Sequence, residues 1–334
     1  MSDTAAPSSP LSIARGFADA RDWRGLVEWG ASLPDVHAED PEVGYLYADA
    51  CRRTGDTATA TEVLARVEPR VRQGGDRHLL RRTVNLAGIT EFEAGRVPQA
   101  EQRFLELMEI ASAEADDDFM ARACNNLGAV ANLRGQRELA IPYYTRAMAA
   151  YQRAGRVRGL AQTHYNLGLS FRDIGYAADA DAHLRRAMDF AAESETEDVT
   201  ALAEVERANL RVRAGDGALA TELARRALER FERIGDPTGA AQAIRIVGLA
   251  ALAQGDEAEA QARLDEALEI ARAHEDALLR AEVQRDRGLL LRDRGEGDAA
   301  REAFADAIEH FRQIGAAAEA EALRVILDAL GTAS

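Results

Sequence analysis

The chain contains no lysine, so all 41 of its basic residues are arginines. A phosphate-binding loop ending in Gly-Lys-Ser/Thr and a lysine Schiff base therefore have no residue to work with. Aromatic residues make up only 5% of the 334 positions, whereas hydrophobic residues make up 47%. That balance suits helices packed through alanine and leucine better than one large globular core. With only Cys51 and Cys124, a disulfide framework is excluded and a reducing compartment is expected. No apolar run reaches the ~18 residues of a membrane span. The opening MSDTAAPSSP has neither the basic start nor the apolar core of a secretory signal. A cytoplasmic protein with no membrane partner is the expectation. Positive charge is also scarce. A net charge of −16 repels phosphate backbones, and no basic stripe offsets it, which argues against nucleic acid as a partner.

What the chain has in abundance is internal repetition. A glycine recurs every forty residues, at Gly55, Gly95, Gly135, Gly175, Gly215, Gly255 and Gly295. An alanine follows five residues after each, from Ala60 and Ala100 through to Ala300. A unit repeated at such a period cannot bury its apolar face alone and must stack on its neighbours, which predicts an all-α solenoid. With Ala121, Ala161 and Ala201 numbered as position 1, positions 4, 7, 8 and 11 share one helix face. In one unit these are Cys124, Leu127, Gly128 and Ala131, all small or apolar, so they form the buried stripe of a first helix, helix A. The glycine at position 15 ends that helix as a left-handed cap. A second helix, B, follows, with Pro98 in its first turn and a stripe such as Ala140, Tyr144, Ala147 and Tyr151. The small residue at position 8 is expected to face the alanine at position 20 at a close crossing, and Pro142 to loosen helix B locally. Cys51 and Cys124, two repeats apart, are expected to lie too far from each other for a disulfide.

These patterns divide the chain into a disordered tail over residues 1–9, a solenoid of about eight repeats over 10–315 with boundaries near 40, 80, 120, 160, 200, 240 and 280, and a capping helix with a short tail over 316–334. The first helical pair, Leu11 to about Pro34, is shorter than the rest. Chemistry-bearing motifs are few. GDGALA and GEGDAA match a loose dinucleotide pattern but stand in helix-to-helix turns with no preceding strand. The acidic turns around Asp116–Asp118 and Glu193–Asp198 lack the spacing of a calcium loop. The six histidines form no zinc-binding pair, and His164, at position 4, is expected in the core. No Gly-x-Ser-x-Gly occurs. Neither metal nor cofactor nor catalysis is expected.

Leu127, Gly128, Gly135, Ala140, Tyr144 and Ala147, and in the next unit Leu167, Gly168, Phe171, Gly175, Ala180, Leu184 and Ala187, follow a pattern that resembles the tetratricopeptide repeat. The likeness runs over nearly the whole chain. Two features depart from it: the unit is forty residues rather than 34, and it lacks the family's early tryptophan and late proline. The longer form, with its Asn-Leu-Gly signature, is similar to the repeats of G-protein-signalling modulator adaptors and, more loosely, of kinesin light chains and bacterial peptide-pheromone receptors. The resemblance implies a right-handed superhelix whose A helices line a concave, ligand-binding surface.

Positions opposite the buried stripe would line that groove. They give Arg122, Asn126, Ala129 and Leu133, then Gln162, Asn166, Leu169 and Asp173, with Asn132 and Arg172 at the edge and Asn125 and Asn209 nearby. Carboxamides both donate and accept, so spaced asparagines can hold the backbone of an extended peptide without reading its side chains. In the similar adaptors groove asparagines do this, and Asn126 and Asn166 match them by position. Leu46, Leu86 and Ile89 on one side, and Ile246, Leu249 and Leu252 on the other, supply candidate apolar anchors. A scaffold binding a peptide or protein segment is the expected function; the alternative is a peptide-sensing receptor that controls a partner protein.

Overall fold

The computed structural model describes residues 9–33 and 39–331. Residues 1–8 of the expected tail over 1–9, Pro34 at the end of the first helical pair and the last three residues lie outside the described residues. Among the described residues there are seventeen helices and no strands. The chain gathers into two compact units, Met1–Val130 and Ala131–Ser334. The first holds α1 (Pro10–Asp19), α2 (Trp23–Ala31), α3 (Pro41–Arg53), α4 (Thr57–Gly74), α5 (Arg77–Glu93), α6 (Val97–Ala113) and most of α7 (Asp117–Leu133). The second holds α8 (Arg137–Ala154), α9 (Val157–Asp173), α10 (Ala177–Glu193), α11 (Glu197–Arg213), α12 (Gly217–Ile234), α13 (Pro237–Ala253), α14 (Glu257–Ala273), α15 (Ala277–Asp293), α16 (Gly297–Gln313) and α17 (Ala317–Gly331). From α3 onward, odd-numbered helices are A helices and even-numbered ones are B helices.

Local chemistry sets where each helix begins and ends. Asp56, Asp76, Asp216, Asp236, Asp256 and Asp276 stand just ahead of helices, and each accepts the N–H three residues on at 2.9–3.1 Å. Such a cap contributes about 1 kcal/mol by satisfying a donor the helix leaves open. Every position-15 glycine adopts positive φ, between 73° and 91°. Gly175 donates to the Arg172 carbonyl and Tyr176 donates to the Phe171 carbonyl, so the last open carbonyls are met as the chain reverses. Where B helices end, Gly75, Gly155, Gly235 and Gly315 take the same conformation, but Ala115, Glu195 and Glu275 hold the equivalent place with φ of 53–54°. Side chains in that region are strained by roughly 1 kcal/mol or more.

The helix pairs meet at a close crossing. The alanines at position 20, Ala60, Ala100, Ala140, Ala180, Ala220, Ala260 and Ala300, are all fully buried. At three of the glycines at position 8 the nearest neighbour differs from the one expected. A Cβ on Gly88 or Gly288 would lie 2.4 Å from the ring of Phe104 or Phe304, and on Gly168 2.7 Å from Leu184 Cγ. At these three glycines the side chain at position 24 is the first obstacle, with the position-20 carbonyl 3.4 Å from that Cβ at Gly168, whereas at Gly248 Arg263 Cβ and the Ala260 carbonyl come first, at 3.1 and 3.2 Å. Cys51 and Cys124 are both buried, and no disulfide joins them.

In the second unit α9 packs directly on α11, α11 on α13 and α13 on α15, whereas each B helix packs chiefly on the A helices before and after it. The A helices therefore form one inner row and the B helices an outer row. The unit also curls back on itself: Arg137, at the start of α8, donates from Nη2 to Glu319 Oε1 of α17 at 2.7 Å, and a Cβ on Gly135 would lie 3.3 Å from Ala318 Cβ.

Candidate functional site

Helix α9 shows what the inner row presents. Leu160, Ala161, Thr163, His164, Leu167, Gly168 and Ser170 are buried against neighbouring helices. Gln162, Tyr165, Asn166, Leu169 and Arg172 keep partial exposure and Asp173 is exposed. These six span a sector of about 120° on one side of the helix. Most of the expected site residues of this helix thus share one face, joined there by Tyr165.

Each expected residue has its own partners. In the first unit, exposed Arg122 pairs with Asp118 at 3.1 Å and sits 5.5 Å from the Phe119 ring centroid. Asn126 donates from Nδ2 to Asn85 Oδ1 at 3.2 Å, one repeat back, with half-buried Asn125 beside it. In the second unit, Asn132 donates to Ser170 Oγ at 2.9 Å and to the Tyr144 hydroxyl at 3.3 Å, so its carboxamide ties helices together. Gln162 donates to Asn166 Oδ1 at 3.3 Å, and Leu169 and Asn209 are half-buried along the same row. Asn126 belongs to the first unit and Asn166 to the second.

Arg172 and Asp173 open a charge network that extends beyond the expected set. Arg137 donates from Nε to Asp173 Oδ2 at 3.2 Å, Arg172 reaches Asp173 Oδ1 at 2.7 Å, and Arg172 also pairs with Glu206 of α11. Further along the row, Arg245 meets Asp286 at 2.6 Å and Glu282 at 3.1 Å, and Arg285 meets Asp286 at 2.9 Å. Burial by itself would lower the Arg172 and Arg245 pKa values, yet the facing carboxylates outweigh it and raise both. The Asp286 carboxyl is held below its ordinary range because Arg285 and Arg245 overcome the opposing effect of burial. Arg213 differs: desolvation and then the nearby Arg172 charge lower its pKa, and no carboxylate lies within ion-pair distance of it among the described residues. The same row therefore combines carboxamides at Gln162, Asn166 and Asn209 with paired and unpaired guanidinium groups. Glu206, Arg213, Glu282 and Asp286 stand at positions 6, 13, 2 and 6 of later repeats, so extending the register would have found them, whereas Arg245 and Arg285 stand at position 5, outside it.

Of the apolar anchors expected beside this face, Ile246, Leu46 and Leu86 are buried, whereas Ile89, Leu249 and Leu252 keep partial exposure. Ile246 is fully buried in a core with Val205, Leu223 and Phe231, and Leu249 packs against it. Stacking between successive A helices consumes the buried side chains. Among the described residues no group of three or more His, Cys, Asp or Glu side chains is arranged to hold a metal ion, and no helix is long and apolar enough to cross a membrane.

Residues 119–193 and 199–273 match the tetratricopeptide repeat family model. Over these residues the repeats are tetratricopeptide repeats, and the fold is an α-solenoid. No curated protein matches the chain by sequence. Among solved structures, a Rap protein complexed with competence and sporulation factor is similar over 97% of both chains, at 16% identity and a TM-score of 0.64. The Rap conjugation gene regulator of plasmid pLS20 in complex with the Phr* peptide is similar over 84% of this chain and 77% of its own, at 14% identity and a TM-score of 0.66. NprR in complex with its cognate peptide NprX is similar over 83% of both, at 12% identity and a TM-score of 0.63.

Proposed function

We propose that the protein is a non-catalytic scaffold that binds an extended peptide or protein segment along the inner row of the second unit. The observation that carries this reading is the shared face of Gln162, Asn166, Arg172, Asp173, Asn209 and Arg213, which places backbone-binding carboxamides beside a guanidinium without an ion-pair partner. Carboxamides hold amide groups of any sequence, and the charges select among sequences. That similar folds are solved with bound peptides supports it. The test starts from peptides selected out of a random display library against the purified chain. For the best of them, Asn166→Ala combined with Asn209→Ala should weaken binding roughly five- to a hundredfold, since each net hydrogen bond is worth about 0.5–1.5 kcal/mol. Unchanged affinity together with a large fall in melting temperature would make both asparagines structural and reject the assignment.

A second reading, a peptide-sensing receptor, is favoured by one contact. The Arg137–Glu319 pair joins the two ends of the second unit and also touches Asp173 on the inner row. A ligand that engages Asp173 would bias this closure and so the curvature of the unit. Small-angle scattering of the chain with and without the selected peptide discriminates: a changed radius of gyration supports the receptor, and an unchanged profile supports the scaffold.

A further inference from the structure

The outer side of the second unit repeats one slot at each A helix, floored by the residue at position 4 and walled by the flanking B helices. Intrachain side chains fill most of these slots. At α9, His164 lies under Phe190, with ring centroids 5.4 Å apart, and its Nδ1 is 2.9 Å from that of His183. At α11, fully buried Glu204 is covered by Arg226 at 2.5 Å and Arg230 at 2.9 Å, while Arg230 and Arg233 also pair with Glu197. At α15, Gln284 donates to Asp306 at 2.7 Å, and Arg280 closes over the same carboxylate at 2.8 Å.

The slot at α13 breaks the series. Forty residues beyond Glu204 and Glu197 stand Ile244 and Pro237, and forty beyond Arg226, Arg230 and Arg233 stand Glu266, Ile270 and Ala273. The two acids and all three covering arginines are gone together. What remains is a pocket of about 770 Å³ whose apolar lining includes Leu228, Phe231, Ile244 and Ile270. Glu232, Asp236, Glu266 and Glu269 border it, and no arginine lines it although the chain carries 41. Two of these acids have exposed partners, Arg263 for Glu266 and Arg272 for Glu269, which a competing cation displaces at little cost.

We infer that this slot is a second binding site, on the outer row and separate from the inner face, for a basic amphipathic helix of a partner protein. An aliphatic side chain of the partner fills the space over Ile244 and Ile270, and flanking arginines or lysines pair with Glu232, Glu266 and Glu269. The neighbouring slot shows the mode in one chain: there a helix already lays its own arginines over a buried acid of the equivalent A helix. Apolar anchoring provides the affinity and the acidic border the sign of charge selected.

A short alanine-based helical peptide, with leucines at i, i+3 and i+7 and arginines on both flanks, is the probe, and its counterpart with glutamate for each arginine is the reference. Fluorescence anisotropy with the full chain should show the arginine peptide binding at least about tenfold more tightly. Glu232→Arg with Glu269→Arg should reverse that order. Copying the plug of the preceding repeat, Ile244→Glu with Glu266→Arg and Ile270→Arg, should abolish binding while circular dichroism retains the helical spectrum, because the same three residues coexist at α11. Absence of binding by both peptides, equal binding, or binding that survives the copied plug would overturn the inference. So would loss of arginine-peptide binding in Asn166→Ala, which would move the peptide to the inner face.

Discussion

The glycines at position 8 allow a graded test of how the helices cross. Alanine in place of glycine within a helix gains about 1 kcal/mol of intrinsic propensity. Against this stands the added methyl. At Gly288 it would sit 2.4 Å from Phe304 Cε1 and 2.5 Å from Cδ1, well inside contact distance, and Phe304 is fully buried with no room to turn aside. At Gly248 it would sit 3.1 Å from Arg263 Cβ and 3.2 Å from the Ala260 carbonyl, so a shift of a few tenths of an ångström suffices. Overpacking costs about 1–3 kcal/mol. Gly288→Ala should therefore destabilise by up to about 2 kcal/mol net, and Gly248→Ala should be neutral within about 0.5 kcal/mol, with Gly168→Ala between them. Phe304→Leu alone leaves a cavity and costs about 1 kcal/mol or more, but combined with Gly288→Ala it removes the clash, so the double variant should be less destabilised than the sum of the singles. Urea denaturation followed by circular dichroism measures all of these. If Gly248→Ala is the more damaging change, or if the Gly288 and Phe304 effects simply add, the close crossing is not what glycine serves at this position.

Other consequences follow from strain, titration and buried charge. Glu195→Gly should raise stability by about 1 kcal/mol because φ of 53° no longer burdens a side chain, whereas Glu195→Ala should stay within about 0.5 kcal/mol; thermal melts of both decide it. Burial first, then His183 and Arg186, push the His164 pKa down to about 4, and burial lowers His183 too, although Asp179 opposes. The His164 ring therefore stays neutral in the folded chain and takes up a proton on unfolding, and His183 shifts in the same direction, so stability should fall as pH drops through the window between about 6.5 and about 4. His164 accounts for about 2 kcal/mol of that loss by pH 5, and melts of His164→Leu with His183→Leu should show a shallower pH dependence than the wild type. Arg245→Ala leaves Glu282 without its ion-pair partner and nearly buried Asp286 with Arg285 alone, and should destabilise by about 3 kcal/mol, while adding Asp286→Ala should recover part of that; a denaturant double-mutant cycle tests it, and strict additivity would contradict the pairing.

The repeat architecture was legible in the sequence because its determinants are local. A helix face is written in residues three and four apart, and a reversal is written in a glycine that tolerates positive φ, so Gly175 and Ala180 announce a turn and a crossing without reference to the rest of the chain. The same locality led to Asn166 and Gln162 on an outward face and to His164 in the core. Tertiary structure alone decided which side chain meets which. The obstacle at Gly168 is Leu184 rather than Ala180, because the azimuth of one helix on the next is a packing outcome. Asn132 spends its carboxamide on Ser170 and Tyr144, and Ile246 is absorbed by the stacking of A helices, since both depend on how far successive repeats rotate. The pairing of Arg137 with Glu319 spans 182 residues. It exists because a small rotation per repeat accumulates around the second unit until its last helix meets its first, and no pattern within a single repeat encodes that sum.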